Sequence, residues 1–241
     1  MTVFDKTYDV VVSLGQWCAP TFCLKELGLR SASGPFDWMM GQGKTVGEYA
    51  RLLTDGFDGF FRRENMRKLR EDHGEGTEHW KDVEQGWEAR HEFRIGVPFD
   101  VNYSNFRALV ERRAGRLIKA MRLGCRLLFV HWFAEGRCRP DDVVAAARRL
   151  RVAFPASQID LLVLETEKFA AGVSYNEPEP GVVIATGDFY DQSRYDAVRG
   201  NKDLALSVLR RVRMHGRWRN LLRLRLESIK RRLCRRRRLR G

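Results

Sequence analysis

A chain of 241 residues, 44% hydrophobic and 31% charged, is long enough to bury a core and too short for three ordinary domains. The net charge of +13 hides an asymmetry: residues 209–241 hold fifteen Lys/Arg against the single acid Glu227, leaving 29 basic and 30 acidic residues in the body. A globular nucleic-acid-binding domain with a basic face is thereby set aside, because the pI near 10 belongs to the tail.

In chain order, Tyr8 to Gly15 is β-branched and closes on a glycine, which predicts a buried strand running into a turn. Pro20 fits the first position of a helix that runs to Leu27 and stops at Gly28. Residues 31–45 read as a loop, yet Phe36, Trp38, Met39 and Met40 predict that it packs inward. Val46 to Leu53 reads as a helix, and 54–92 mixes charge, glycine and aromatics without a period that assigns it. Asn105 can cap a helix to about Leu123, followed by a strand from Cys125 to Phe133, a helix from Pro140 to Phe154 and a strand from Ile159 to Leu164. A loop bearing Pro178 and Pro180, a strand over 181–186 and a helix starting near Asp203 complete the body. The alternation predicts an α/β domain over 1–205, a mostly parallel central sheet with helices on both faces, and a basic helical tail over 206–241.

The longest uncharged stretch, Val10 to Leu24, is fifteen residues and holds Ser13, Gly15, Gln16 and Pro20. That is short of the roughly twenty apolar residues a membrane-spanning helix needs. Asp5, Lys6 and Asp9 precede it without a basic segment, which predicts no secretory signal. Five cysteines form no C-x-x-C pair, so a reduced cytoplasmic protein is expected, one that the tail holds peripherally at an inner membrane.

Cys18 carries the most chemical information. It follows a strand and a glycine turn and precedes a helix-opening proline, where backbone N–H groups stabilise a thiolate nucleophile. Its alternative is a small buried apolar side chain, the role assigned to Cys23. Gln16, two residues earlier, can donate its amide to an oxyanion together with the Cys18 N–H. Asp37, between Phe36 and Trp38, either orients an imidazole or ties a turn through backbone N–H groups. His73 and His79 lie in a charged, glycine-bearing run that reads as a solvated loop.

Three blocks stand in order near the N-terminus: Ser13-Leu14-Gly15-Gln16-Trp17-Cys18, then Leu24 to Arg30, then Ser33-Gly34-Pro35-Phe36-Asp37-Trp38. Together they resemble the opening of a bacterial family of unknown function described as papain-like cysteine peptidases. A weaker similarity runs through Arg94 to Asp100, Arg112-Arg113 and Leu128 to His131. The resemblance implies a nucleophilic Cys18 assisted by a histidine and an acidic or amide residue, acting on an acyl substrate whose identity it leaves open. The family places a histidine where this chain has Phe99, and an arginine where it has His131. His131, at the end of a strand, is therefore the first choice of base, with His91 as runner-up. If neither serves, the chain is an inactive binding module docked through its tail.

No cofactor or metal is expected. Cys125, His131 and Cys138 match no zinc-ligand spacing. Gly43-Lys44-Thr45 ends like a phosphate loop, but Trp38 stands where the first glycine belongs. In the tail, Trp218, Leu221, Leu222, Leu226, Ile229 and Leu233 fall on one face at helical spacing with arginines around them. Such a basic amphipathic helix suits an anionic membrane surface or a protein partner, and nucleic acid less well.

Overall fold

The computed structural model describes residues 2–133, 138–189 and 201–215. After a short β1 (Thr7–Tyr8), the β-branched run forms β2 (Val10–Ser13), and α1 (Ala19–Glu26) follows with a proline in its first turn. Then come β3 (Met39–Met40) and α2 (Val46–Thr54), the latter started by a capping box between Thr45 and Glu48. Region 54–92, which the sequence left unassigned, contributes β4 (Met66–Asp72), β5 (Thr77–Asp82) and most of β6 (Glu88–Arg94). These strands and β3 make a four-stranded antiparallel sheet in the order β3-β6-β5-β4.

The next helix, α3 (Phe99–Arg122), starts six residues before the expected Asn105, because Pro98 rather than Asn105 opens it. It leads into β7 (Arg126–Phe133), α4 (Pro140–Ala153), β8 (Gln158–Thr166), β9 (Ser174–Glu179), β10 (Val182–Gly187), α5 (Lys202–Leu209) and β11 (Arg213–Met214). The central sheet has the order β2-β7-β8-β10-β9. Its first four strands are parallel and β9 is antiparallel, so the sheet is mixed rather than purely parallel. The segment with Pro178, expected as a loop, is this edge strand, where a proline's missing N–H costs no ladder bond.

Alternate residues of β7 send Phe129 into a core with α2, α3, α4 and the small sheet, and Leu128, Val130 and Trp132 into a second core with α1 and α5. The expected helices on both faces are present. The tail's amphipathic helix lies outside the described residues. What is described beyond residue 205 is tied to the body: Leu206, Val208, Leu209 and Val212 are buried, and β11 pairs in parallel with β1. No described helix is long and apolar enough to cross a membrane.

Candidate active site

β2 ends in a turn where Gly15 has φ 75° and Gln16 φ 73°. Glycine is needed at the first of these, where a Cβ would also meet the Tyr49 hydroxyl at 3.1 Å. The Gln16 N–H donates to Tyr49 Oη at 2.8 Å, which holds the non-glycine residue in its left-handed conformation. The turn delivers Cys18 as the N-cap of α1, half-buried and making no side-chain cap.

A bulge supplies the partner. Between the β5–β6 pairs Glu78↔Phe93 and Trp80↔Ala89, one residue of β5 opposes three of β6. The irregularity turns His91 toward Cys18, with Nε2 3.7 Å from Sγ, while Nδ1 stands 2.7 Å from Glu75 Oε2. A carboxylate only accepts, so the Nδ1 contact fits the tautomer with its proton on Nδ1 and Nε2 free to accept a hydrogen bond from the thiol. Glu75 sits in the β4–β5 turn, where its N–H donates to Asp72 Oδ1 at 3.1 Å. The Trp38 ring, with φ 70° at its backbone, lies edge-on to His91 with centroids 6.0 Å apart.

The sequence-predicted residues divide. The thiol and the runner-up histidine meet. His131 does not join them: it shares with Phe129 the core face of β7, is 1% exposed, and packs its ring 5.2 Å from Tyr49. Burial lowers its pKa to about 4, so it is a neutral core histidine. Of the two candidate histidines it is His91, the runner-up, that stands beside the thiol. Asp37 is buried and accepts from Thr21 Oγ1 (3.1 Å), Arg30 Nε (2.9 Å), Arg30 Nη2 (2.6 Å) and the Gly34 N–H (2.8 Å). Of its two expected roles, tying the loop is the one these bonds perform, and that tie places Trp38. Gln16 Nε2 donates to the Lys44 carbonyl at 3.1 Å, anchoring the amide to the segment before α2. His79, expected in a solvated loop, is buried in β5 beside Arg70.

Glu75 was not foreseen from the sequence. It lies between Gly74 and Gly76 in a charged turn, and only the register of β5 against β6 brings it to His91. The expected lowering of the Cys18 pKa is also reversed. Burial pushes the thiol up to about 12, and Glu92, Glu75 and Asp37 add to this against the opposing effect of Arg90. Pro20 meanwhile removes one N–H donor from the first turn of α1. The resting thiol is therefore neutral. Among the described residues no group of three His, Cys, Asp or Glu could hold a metal ion.

Residues 9–146 match the model of the family described as "Putative papain-like cysteine peptidase (DUF1796)". The chain belongs to this family. The match spans the Cys18 turn, the whole small sheet and α3, and so includes every member of the Cys18–His91–Glu75 group. No curated protein and no solved structure matches the chain.

Proposed function

We propose that this family member is a cysteine-dependent acyl hydrolase or transferase in which Cys18 is the nucleophile, His91 the base and Glu75 the carboxylate that orients it. The observation that supports this most strongly is the alignment of Sγ, Nε2, Nδ1 and Oε2 across contacts of 3.7 and 2.7 Å. As Sγ bonds to the acyl carbon, the S–H proton passes to Nε2 and Glu75 balances the imidazolium. That proton then leaves with the departing amine or alcohol, giving a thioester. Water attacks the thioester with His91 again as base, and the acid and free thiol are restored. The high thiol pKa makes the base essential, since about 12 leaves almost no thiolate at neutral pH.

The test is a p-nitrophenyl ester assay with intact-mass detection of the acyl-enzyme. We expect one acyl adduct on Cys18, none in Cys18→Ala, and a loss in His91→Ala of at least about 100-fold, the scale of general base catalysis. The same high thiol pKa favours a second reading, an inactive binding module docked through the basic tail. Absence of any adduct on the wild-type chain would select that reading.

A further inference from the structure

On the free edge of the central sheet, a cleft of about 270 Å3 opens between β2, α3 and the loop over 31–34. Its floor is apolar, built from Val10 and Val12 of β2 and Leu117 of α3. Three cations line it from α3: Arg113, Arg116 and Lys119. Arg113, Arg116 and Leu117 recur at helical i, i+3, i+4 spacing, so one helix face presents both charge and apolar surface to the cleft.

The fold offsets these charges only in part. Arg113 is 9% exposed, and its Nε and Nη1 are buried without a hydrogen-bond partner among the described residues. The carboxylate paired with it, Glu92, stands 3.9 Å away, beyond hydrogen-bond length, while burial lowers the Arg113 pKa. A buried guanidinium so poorly partnered is costly to the fold unless something else pairs with it. Lys119 is exposed and makes no ion pair among the described residues. Arg116 donates through Nη2 to the Ser33 carbonyl at 3.0 Å, a bond that ties the loop over the cleft and leaves the positive charge unneutralised. The one acid in the lining, Asp9, is held away by the Arg126 N–H, which donates to Asp9 Oδ2 at 2.9 Å.

We propose that this cleft is a binding site for a small carboxylate with an apolar body, its carboxylate on the Arg113, Arg116 and Lys119 side and its hydrocarbon on Val10, Val12 and Leu117. Two features select this class. Three cations on one side of the cleft attract a carboxylate, and an apolar floor beneath them rejects a ligand that is polar throughout. The site is separate from Cys18, which does not line the cleft, so it does not rest on the acyl-transfer reading.

The experiment titrates the full chain with hexanoate, hexan-1-ol and inorganic phosphate, following saturation-transfer NMR of each probe and the protein's thermal shift. Saturable hexanoate binding is expected, with hexanol and phosphate each at least tenfold weaker. Lys119→Glu, at an exposed and unpaired position, should weaken hexanoate several-fold without changing the melting temperature of the free protein. Arg113→Leu, which removes the guanidinium, should weaken it at least tenfold. Ala120→Phe, which fills the cleft, should abolish it, and Cys18→Ala should leave it unchanged. Because Arg113 and Ala120 are buried, folding of those two variants is checked by circular dichroism, and Lys119→Glu stands as the test if either unfolds. Absence of saturable hexanoate binding overturns the proposal. So does equal binding of hexanol or phosphate, or unchanged affinity in Lys119→Glu.

Discussion

At Cys18 two local effects compete, and burial with three nearby carboxylates outweighs the start of a short helix whose first turn contains a proline. Iodoacetamide alkylation of Cys18 should therefore be slow at pH 7 and still rising at pH 10. A plateau below pH 9 would contradict the raised pKa of the thiol. Glu92 is the largest of the charge effects after burial, and the His91 N–H donates to its Oε2 at 3.2 Å. Glu92→Gln keeps an acceptor for that N–H and removes the charge, so alkylation at pH 8 should quicken several-fold, whereas an unchanged rate would mean Glu92 is already neutral. His131 gives a second pH signature. Its folded pKa of about 4 lies below the unfolded value of about 6.5, so the unfolded chain binds the extra proton first. The stability it supports is complete above pH 6.5 and is lost as pH falls toward 4, on the order of 3 kcal/mol in all. Denaturant unfolding of wild type and His131→Leu at pH 7.5 and 4.5 should show that difference only in the wild type.

At the scale of elements, Asp37 joins α1 to the loop that carries Trp38 onto His91. Removing it leaves Arg30, itself largely buried, without its carboxylate, a loss of about 3–5 kcal/mol when a buried pair is broken. Asp37→Ala should lower the urea midpoint accordingly and also reduce acylation of Cys18, and Asp37→Asn should recover part of the stability through the Thr21 and Gly34 bonds. Loss of stability with unchanged acylation would show that Trp38 does not position His91. The strand-turn-helix unit around Cys18 was legible because its signals are local: a β-branched run, a glycine that needs positive φ, a proline in the first helical turn. The small sheet was not. Most of β4 is exposed, with Arg67, Lys68, Leu69, Arg70 and Glu71 all facing solvent, so no period-two alternation marks it. His91 and Glu75 are sixteen residues apart and meet only through the bulge between β5 and β6, which composition does not announce. His131 misled for a related reason: a histidine at the end of a parallel strand suits catalysis, but the face it takes depends on pleat parity.

For the whole molecule, truncation tests the basic tail, and the packing of residues 206–215 fixes where to cut it. Removing everything beyond residue 208 would take Leu209 and Val212 out of the second core and break the bond in which the His215 N–H donates to the Tyr8 carbonyl at 2.8 Å. A chain ending at His215 keeps α5 and the β1–β11 pair. It also removes twelve of the fifteen tail Lys/Arg, together with Glu227 and the whole spaced set from Trp218 to Leu233. We propose that this segment docks the protein on anionic lipid. Each cation near such a surface contributes about 1 kcal/mol, and apolar side chains that enter it add roughly 25 cal/mol per Å2 buried. In flotation with vesicles of phosphatidylserine and phosphatidylcholine, the full chain should bind and the chain ending at His215 should not, with acylation of Cys18 equal in both. Trp218→Ala with Leu222→Ala leaves the charge untouched and should weaken binding at least about tenfold, since burying two large side chains is worth more than the 1.4 kcal/mol this requires. A tail acting through charge alone would ignore the double substitution and respond only to added salt. Vesicle binding that survives the cut at His215 would sink the proposal, because the body left behind carries almost no net charge with which to bind.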